Sequence, residues 1–310
     1  MEAVLNITAP IFLLILFGFV AVRYGVLPKE SLPGLSRFVL YLALPALVFT
    51  KVATMDIRAI VDFPFMASYA VGGLSAFFGT LLLARWLFAD NALNGGVKAI
   101  GATMPNSAFI GFPVLMQFFG HAPTQAFAMA VMVENILFMP IALAFIEAMY
   151  GKQQPREKSM VLVISKRVLT NPIIIAVCSG AAVSLLGIPL PEFLQKGLDM
   201  LAMGSAPAAL VVIGGSLVGV TIRGSLAPIS LVVVMKLLFF PSVVAAVTLL
   251  FPQMPQELRY SVILFAAMPM FSVYPIIGGE YGDRSFCAST LLITTVASFF
   301  TLSALLRFLI

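Results

Sequence analysis

Apolar residues run through this chain in long stretches divided by short polar connectors. A helix needs about 20 predominantly apolar residues to cross the hydrocarbon of a bilayer. Ten stretches meet that requirement, at roughly 9–26, 36–54, 64–89, 97–119, 123–149, 171–188, 194–221, 227–250, 258–280 and 286–309. The fourth and ninth are interrupted. Ala102–Gly120 reads ATMPNSAFIGFPVLMQFFG and Ala266–Gly282 reads AAMPMFSVYPIIGGEYG, each with a Met-Pro pair followed by a second proline. Proline has no amide donor, and its ring collides with the carbonyl four residues back. In an apolar chain, backbone broken in this way is tolerated only where protein or an aqueous cavity satisfies the freed groups. The pattern predicts an all-α polytopic membrane protein with ten spans.

Composition agrees with that reading. Hydrophobic residues make up 61% of the 310 residues and charged residues 10%, against roughly 25% charged in an average soluble chain. The net charge of +5 comes from Lys and Arg scattered between apolar stretches, with no basic face to suggest nucleic acid. The expected surroundings are lipid. Cys178 and Cys287 fall inside predicted spans and read as small buried apolar residues rather than a disulfide. Met1–Pro10 lacks the basic segment that begins a cleavable signal peptide. Loops one, three, five, seven and nine carry twelve Lys and Arg, among them Arg85 and Lys98, while the opposite loops carry five. The positive-inside rule then puts the central loop in the cytoplasm and both termini outside. Trp86 falls near a cytoplasmic end, as an interfacial anchor would.

The chain repeats itself. At a displacement of 162 residues, Pro10-Ile11 matches Pro172-Ile173, Gly18 matches Gly180, Gly25 matches Gly187 and Pro45-Ala46 matches Pro207-Ala208. At 164, Ala102 matches Ala266 and Met104-Pro105 matches Met268-Pro269; at 162 again, Gly120 matches Gly282. Residues 1–150 and 169–310 are thus two units of five spans joined by a cytoplasmic connector at 151–168. An odd number of spans turns the second unit upside down. An inverted repeat with a broken helix at matching places is the sequence signature of a secondary transporter.

After each break a half-helix begins, and its first amides have no intrahelical partner. Such N-termini favour carboxylate or phosphate, so the expected ligand is a small organic anion. Ser107 and Ser272 are candidate caps. Asn106 follows the first break, where its amide either donates to the anion or caps its own half-helix; Met270 holds the matching place in the second and can only pack. Glu134 and Lys236 lie deep in spans, where a charge costs about 2.5–3.5 kcal/mol and therefore faces the bundle interior. Glu134 reads as a proton-coupling or substrate-contacting group. Lys236 reads as neutralising carbonyl ends at the crossing helices, or the two pair with each other. Asp56, Arg58 and Asp62 read as a solvated outer loop. Thr290, Thr294, Ser298 and Thr301 form a stripe expected to bond between helices. His121 reads as an ordinary loop residue. There is no HExxH, Cys-x-x-Cys, phosphate-binding glycine loop or serine–histidine pairing, so neither an enzyme nor a cofactor is expected.

These residues resemble the auxin efflux carrier family, which includes plant auxin exporters and bacterial malonate-type transporters. The likeness rests on MPNSAFIGFP at 104–113, on the second crossover with Glu280-Tyr281-Gly282 behind it, on LPALVF at 44–49 and on Lys236 five residues before Pro241. The resemblance implies a 5+5 inverted-repeat fold with crossing broken helices 4 and 9, as in sodium/proton antiporters and bile-acid transporters. Spans 1, 2, 6 and 7 would form a scaffold, often a homodimer; spans 3–5 and 8–10 would form the transport domain. Carried-over substrate contacts are Pro105 and Asn106, the neighbourhood of Pro269, and Glu134, with Asp62 matching an outer-loop aspartate of plant members. The short central loop, Met270 and an acid at Glu134 depart from plant members and point to bacterial organic anions, with a proton or sodium as coupling ion. Two other readings stand beside it. One is a cation/proton antiporter, although span five holds only Glu134-Asn135 and no paired acids; the other is a membrane receptor for a carboxylate.

Overall fold

A computed structural model describes residues 2–54, 61–151, 169–219, 225–281 and 283–309. Asp56, Arg58, Gly282 and the connector basic residues from Lys152 to Arg167 lie outside these. Every named element is helical, and helix occupies each of the ten predicted stretches. Among the described residues, six continuous helices are long and apolar enough to cross a membrane: Lys29–Ala53, Phe63–Phe88, Thr124–Ile146, Glu192–Ser216, Leu226–Thr248 and Arg284–Leu309. The other four stretches are Glu2–Arg23, the shorter Pro172–Leu185, and the two interrupted segments, Ala92–Thr103 with Ser107–Phe119 and Gln256–Ala267 with Tyr274–Glu280.

One boundary differs in a way that matters. The fourth stretch starts at Ala92, because Asn91 caps the helix by accepting the Asn94 N–H at 2.8 Å, a standard N-terminal device. Lys98 therefore lies inside a helix and not in a connector, and it is 6% exposed. It drops out of the twelve basic loop residues.

Six prolines behave in two ways. Among the described residues are four π-helical turns, Val39–Ala43, Ser107–Gly111, Glu134–Phe138 and Met235–Phe239. Each ends two residues before a proline: Pro45, Pro113, Pro140 and Pro241. The carbonyl that each proline ring would strike belongs to the central residue of that turn, Tyr41, Phe109, Ile136 or Leu237. Widening the helix by one residue moves that carbonyl aside, which lets the helix continue. Among the described residues, Met104-Pro105 and Met268-Pro269 instead bring an extended break between helices.

The chain divides into two compact units, the first of 1–63, 107–132 and 166–218, the second of 64–106, 133–165 and 219–310. The first is held by close backbone approaches at glycines. A Cβ on Gly18 would collide with the carbonyl of Val211, and one on Gly180 would stand 3.0 Å from the carbonyl oxygen of Phe49. Both residues of the second contact pair with the first at a displacement of 162. Gly214 is pressed in the same way against the carbonyl of Ile15. The second unit has an aromatic centre, with Tyr69 stacked on Phe240 at 5.6 Å and tilted against Phe138 at 5.4 Å.

Two polar expectations change. Along Arg284–Leu309 the hydroxyls of Thr290 and Thr294 donate to carbonyls four residues back, at 2.8 and 2.6 Å, and those of Ser298 and Thr301 to carbonyls three back. The stripe therefore bonds to its own helix, the local option such side chains always have, and not between helices. Cys287 is buried as expected, but Cys178 is exposed.

Candidate functional site

The two breaks meet in the second unit. Met104 and Met268 leave their helices with extended backbone, and the segments pair as an isolated antiparallel bridge between Pro105 and Met270. The Asn106 N–H donates to the Pro269 carbonyl at 2.8 Å, and the Phe271 N–H donates to the Met104 carbonyl at 3.1 Å. Each break thus satisfies backbone groups of the other, as buried groups in an apolar unit must be satisfied. The Asn106 side chain, 3% exposed, donates from Nδ2 to Ser272 Oγ at 3.2 Å. Pro105, Pro269 and Met270 are buried, and Ser272 is half-buried.

This arrangement corrects the expectation of two matching helix N-termini. The helix after the second break, Tyr274–Glu280, has seven residues, and its cap position is Val273, which offers no side-chain bond. Ser272 is not its cap; it receives Asn106. Two of the break amides point across the crossing and not toward a ligand. The polarity available to an anion here is mainly that of side chains.

A second group lies in the same unit. Tyr69 O–H donates to Glu134 Oε1 at 2.8 Å, from the Phe63–Phe88 helix to the first residue of a π turn. Lys236 Nζ, wholly buried, donates to the Ala266 carbonyl at 2.9 Å and lies 4.4 Å from the Phe240 ring centroid. Glu134 is close enough to act on it electrostatically.

A third group ties the two interrupted segments together. Tyr274 O–H donates to the Val97 carbonyl at 3.0 Å, and a Cβ on Gly101 would meet the Tyr274 ring at 2.6 Å. Lys98 pairs with Asp90 and lies 5.6 and 5.5 Å from the ring centroids of Phe88 and Phe286. Asp283, between Tyr281 and the last helix, has its carboxyl pushed above the ordinary aspartate range by burial. The Lys98 cation opposes that shift and Asp90 adds to it.

The structure therefore brings together Pro105, Asn106, Pro269, Met270 and Ser272, and sets Glu134 and Lys236 near each other. Ser107 and Asp62 belong to the first unit, where Ser107 is buried and opens a π turn. The backbone N of Asp62 lies 3.1 Å from the Met129 sulfur. Tyr69, Asp90 and Tyr274 were missed. A buried tyrosine seeks a partner for its hydroxyl, which marks Tyr69 and Tyr274 as polar positions. Their partners lie 65 and 177 residues away in sequence, beyond any local pattern.

Comparison with known proteins follows the same direction. The chain belongs to the membrane transport protein family, the auxin efflux carrier family, which matches residues 3–306. It is 28% identical to a Rhizobium meliloti protein named "Putative malonate transporter", over 99% of this chain and 96% of that one. It is 26% identical to an uncharacterized transporter of Methanothermobacter thermautotrophicus, over 94% of both. Against a mouse lysosomal cholesterol signaling protein it is 27% identical, over 74% of this chain and 28% of the mouse protein. The chain is a multi-pass membrane protein of a transporter family, and the family is not one of enzymes.

Proposed function

We propose that this family member is a secondary transporter of small organic anions, mono- or dicarboxylates such as malonate, working by alternating access. The observation that carries this is Asn106, a buried amide at the meeting point of two broken segments. Pro105, Met270 and Ser272 surround the same point, Ser107 follows it, and Pro269 accepts its backbone. The name of the Rhizobium relative supports a dicarboxylate. Glu134 is the proposed proton-coupling group, held by Tyr69, and Asp62 a proposed outer contact.

The proposal includes ten spans in a 5+5 inverted repeat. It is supported by the paired Met-Pro breaks and by the Gly18–Val211 and Gly180–Phe49 approaches, which recur at one displacement. It assigns spans 1, 2, 6 and 7 to a scaffold that dimerises and spans 3–5 and 8–10 to a transport domain, with both termini outside. The first compact unit contains spans 1, 2, 6 and 7, which supports the grouping; it also takes in 107–132. A receptor that binds its ligand without moving it is the second reading, favoured by the name of the mouse relative.

Uptake of labelled malonate and acetate into liposomes holding the purified protein tests the proposal. Saturable uptake is expected. Binding with no flux of any carboxylate would establish the receptor reading instead.

A further inference from the structure

Carbonyls in the last turn of a helix receive no amide from their own helix and carry partial negative charge. In secondary transporters with interrupted helices, such carbonyl ends beside unwound backbone are where a coupling sodium ion is held. The helix Gln256–Ala267 ends in this way at Met268. The amide four residues after Ala266 belongs to Met270, which lies in the extended segment bridged to Pro105. The Ala266 carbonyl receives Lys236 Nζ at 2.9 Å instead.

Lys236 is fully buried. A buried ammonium is tolerated only when opposite charge, dipoles or a π face replace its water. All three are present: the Glu134 carboxylate acts on it, the Ala266 carbonyl accepts from it, and the Phe240 ring lies 4.4 Å away. It rises from the π turn Met235–Phe239, which re-aims side chains relative to a regular helix. A sodium ion at this carbonyl would have to displace the ammonium, or else stand beside it as a second cation.

We propose that the Lys236 ammonium is a tethered replacement for a coupling alkali cation at the second break, so that this protein works without sodium. This deepens the transporter reading and rests on it for flux. A stability measurement tests it independently of any substrate, because an ion that binds the folded state raises apparent stability.

The purified full chain is heated in sodium chloride and in choline chloride of equal ionic strength. Wild type is expected to unfold at the same temperature in both. Lys236→Ala, which opens room at the carbonyl, is expected to lose several degrees in choline and to regain part of that loss in sodium. Lys236→Arg, which keeps a cation, is expected to be indifferent to sodium like wild type. Malonate uptake by wild type should change less than twofold when sodium is replaced by choline. A sodium-specific rise in wild-type stability overturns the proposal without need of any variant, and so does a folded Lys236→Ala that sodium does not help. If malonate is not carried in either salt while the thermal results hold, the substrate reading fails and the tethered cation stands.

Discussion

At the first break the chain leaves its helix at Met104 and resumes at Ser107, in a π turn that continues as an α-helix to Phe119. At the second it leaves at Met268 and resumes only at Tyr274, in a helix of seven residues. The first break supplies its own buried amide, Asn106. The second holds the apolar Met270 in the matching place and takes its charge from Lys236, thirty residues before Ala266 in the chain. Similar backbone geometry has thus been given different chemistry on its two sides. One side offers a neutral hydrogen-bonding side chain suited to recognition, the other a fixed cation suited to neutralising carbonyl ends.

Exchange of the two side chains breaks this comparison most severely. Asn106→Met is expected to lower malonate uptake at least tenfold, since a hydrogen bond to a charged ligand contributes about 1.5–3 kcal/mol. Met270→Asn buries an unmatched amide and should lower thermal stability, an effect of about 1–3 kcal/mol. If the double exchange transports like wild type, the two sides are interchangeable and the distinction falls. Next in size is Glu134→Gln, expected to flatten the pH dependence of uptake while the protein stays folded. Tyr69→Phe keeps the ring packing and should shift that profile without flattening it. A Glu134→Gln protein with the wild-type pH profile rules Glu134 out as coupling group.

Ser272→Ala removes only the acceptor of the Asn106 side chain. Neutral hydrogen bonds contribute about 0.5–1.5 kcal/mol, so uptake should fall by about two- to tenfold, less than for Asn106→Met. The smallest effect belongs to Asp283, beyond the short second half-helix. Its carboxyl is raised in the folded protein by burial, so its contribution to stability is fully present below the unfolded aspartate pKa and is lost as pH rises through the folded value. Asp283→Asn should therefore unfold at a slightly higher temperature than wild type at neutral pH, and this advantage should vanish as pH falls toward the ordinary aspartate range. An advantage that persists in acid would contradict the assignment.

The sequence marks the stretches and the two Met-Pro breaks because both are local. Apolar length and the missing proline amide act within a few residues. It does not distinguish prolines that end a helix from those absorbed by a π turn, since Pro45, Pro140 and Pro241 follow apolar runs much like those before Pro105 and Pro269. The outcome depends on whether another segment receives the freed groups, and that segment lies about 164 residues away. Lys98 was misread for the opposite reason. Its helix start at Asn91 was local and legible from the Asn cap, but the apolar count began six residues later. Glu134 and Lys236 stand out by charge alone; that Tyr69 holds one, and the Ala266 carbonyl the other, is decided by packing.

The glycine approaches in the first unit also bear on how the chain is made. Gly18 packs on Val211, and Gly214 on Ile15, so the first helix finds its partner only after roughly 190 more residues have been synthesised. At about 5–20 residues per second that wait lasts on the order of 10–40 s. During it the glycine face of the first helix has lipid or an insertion factor for a neighbour. Assembly of this unit is thus a late event in biogenesis, completed when the seventh stretch leaves the ribosome.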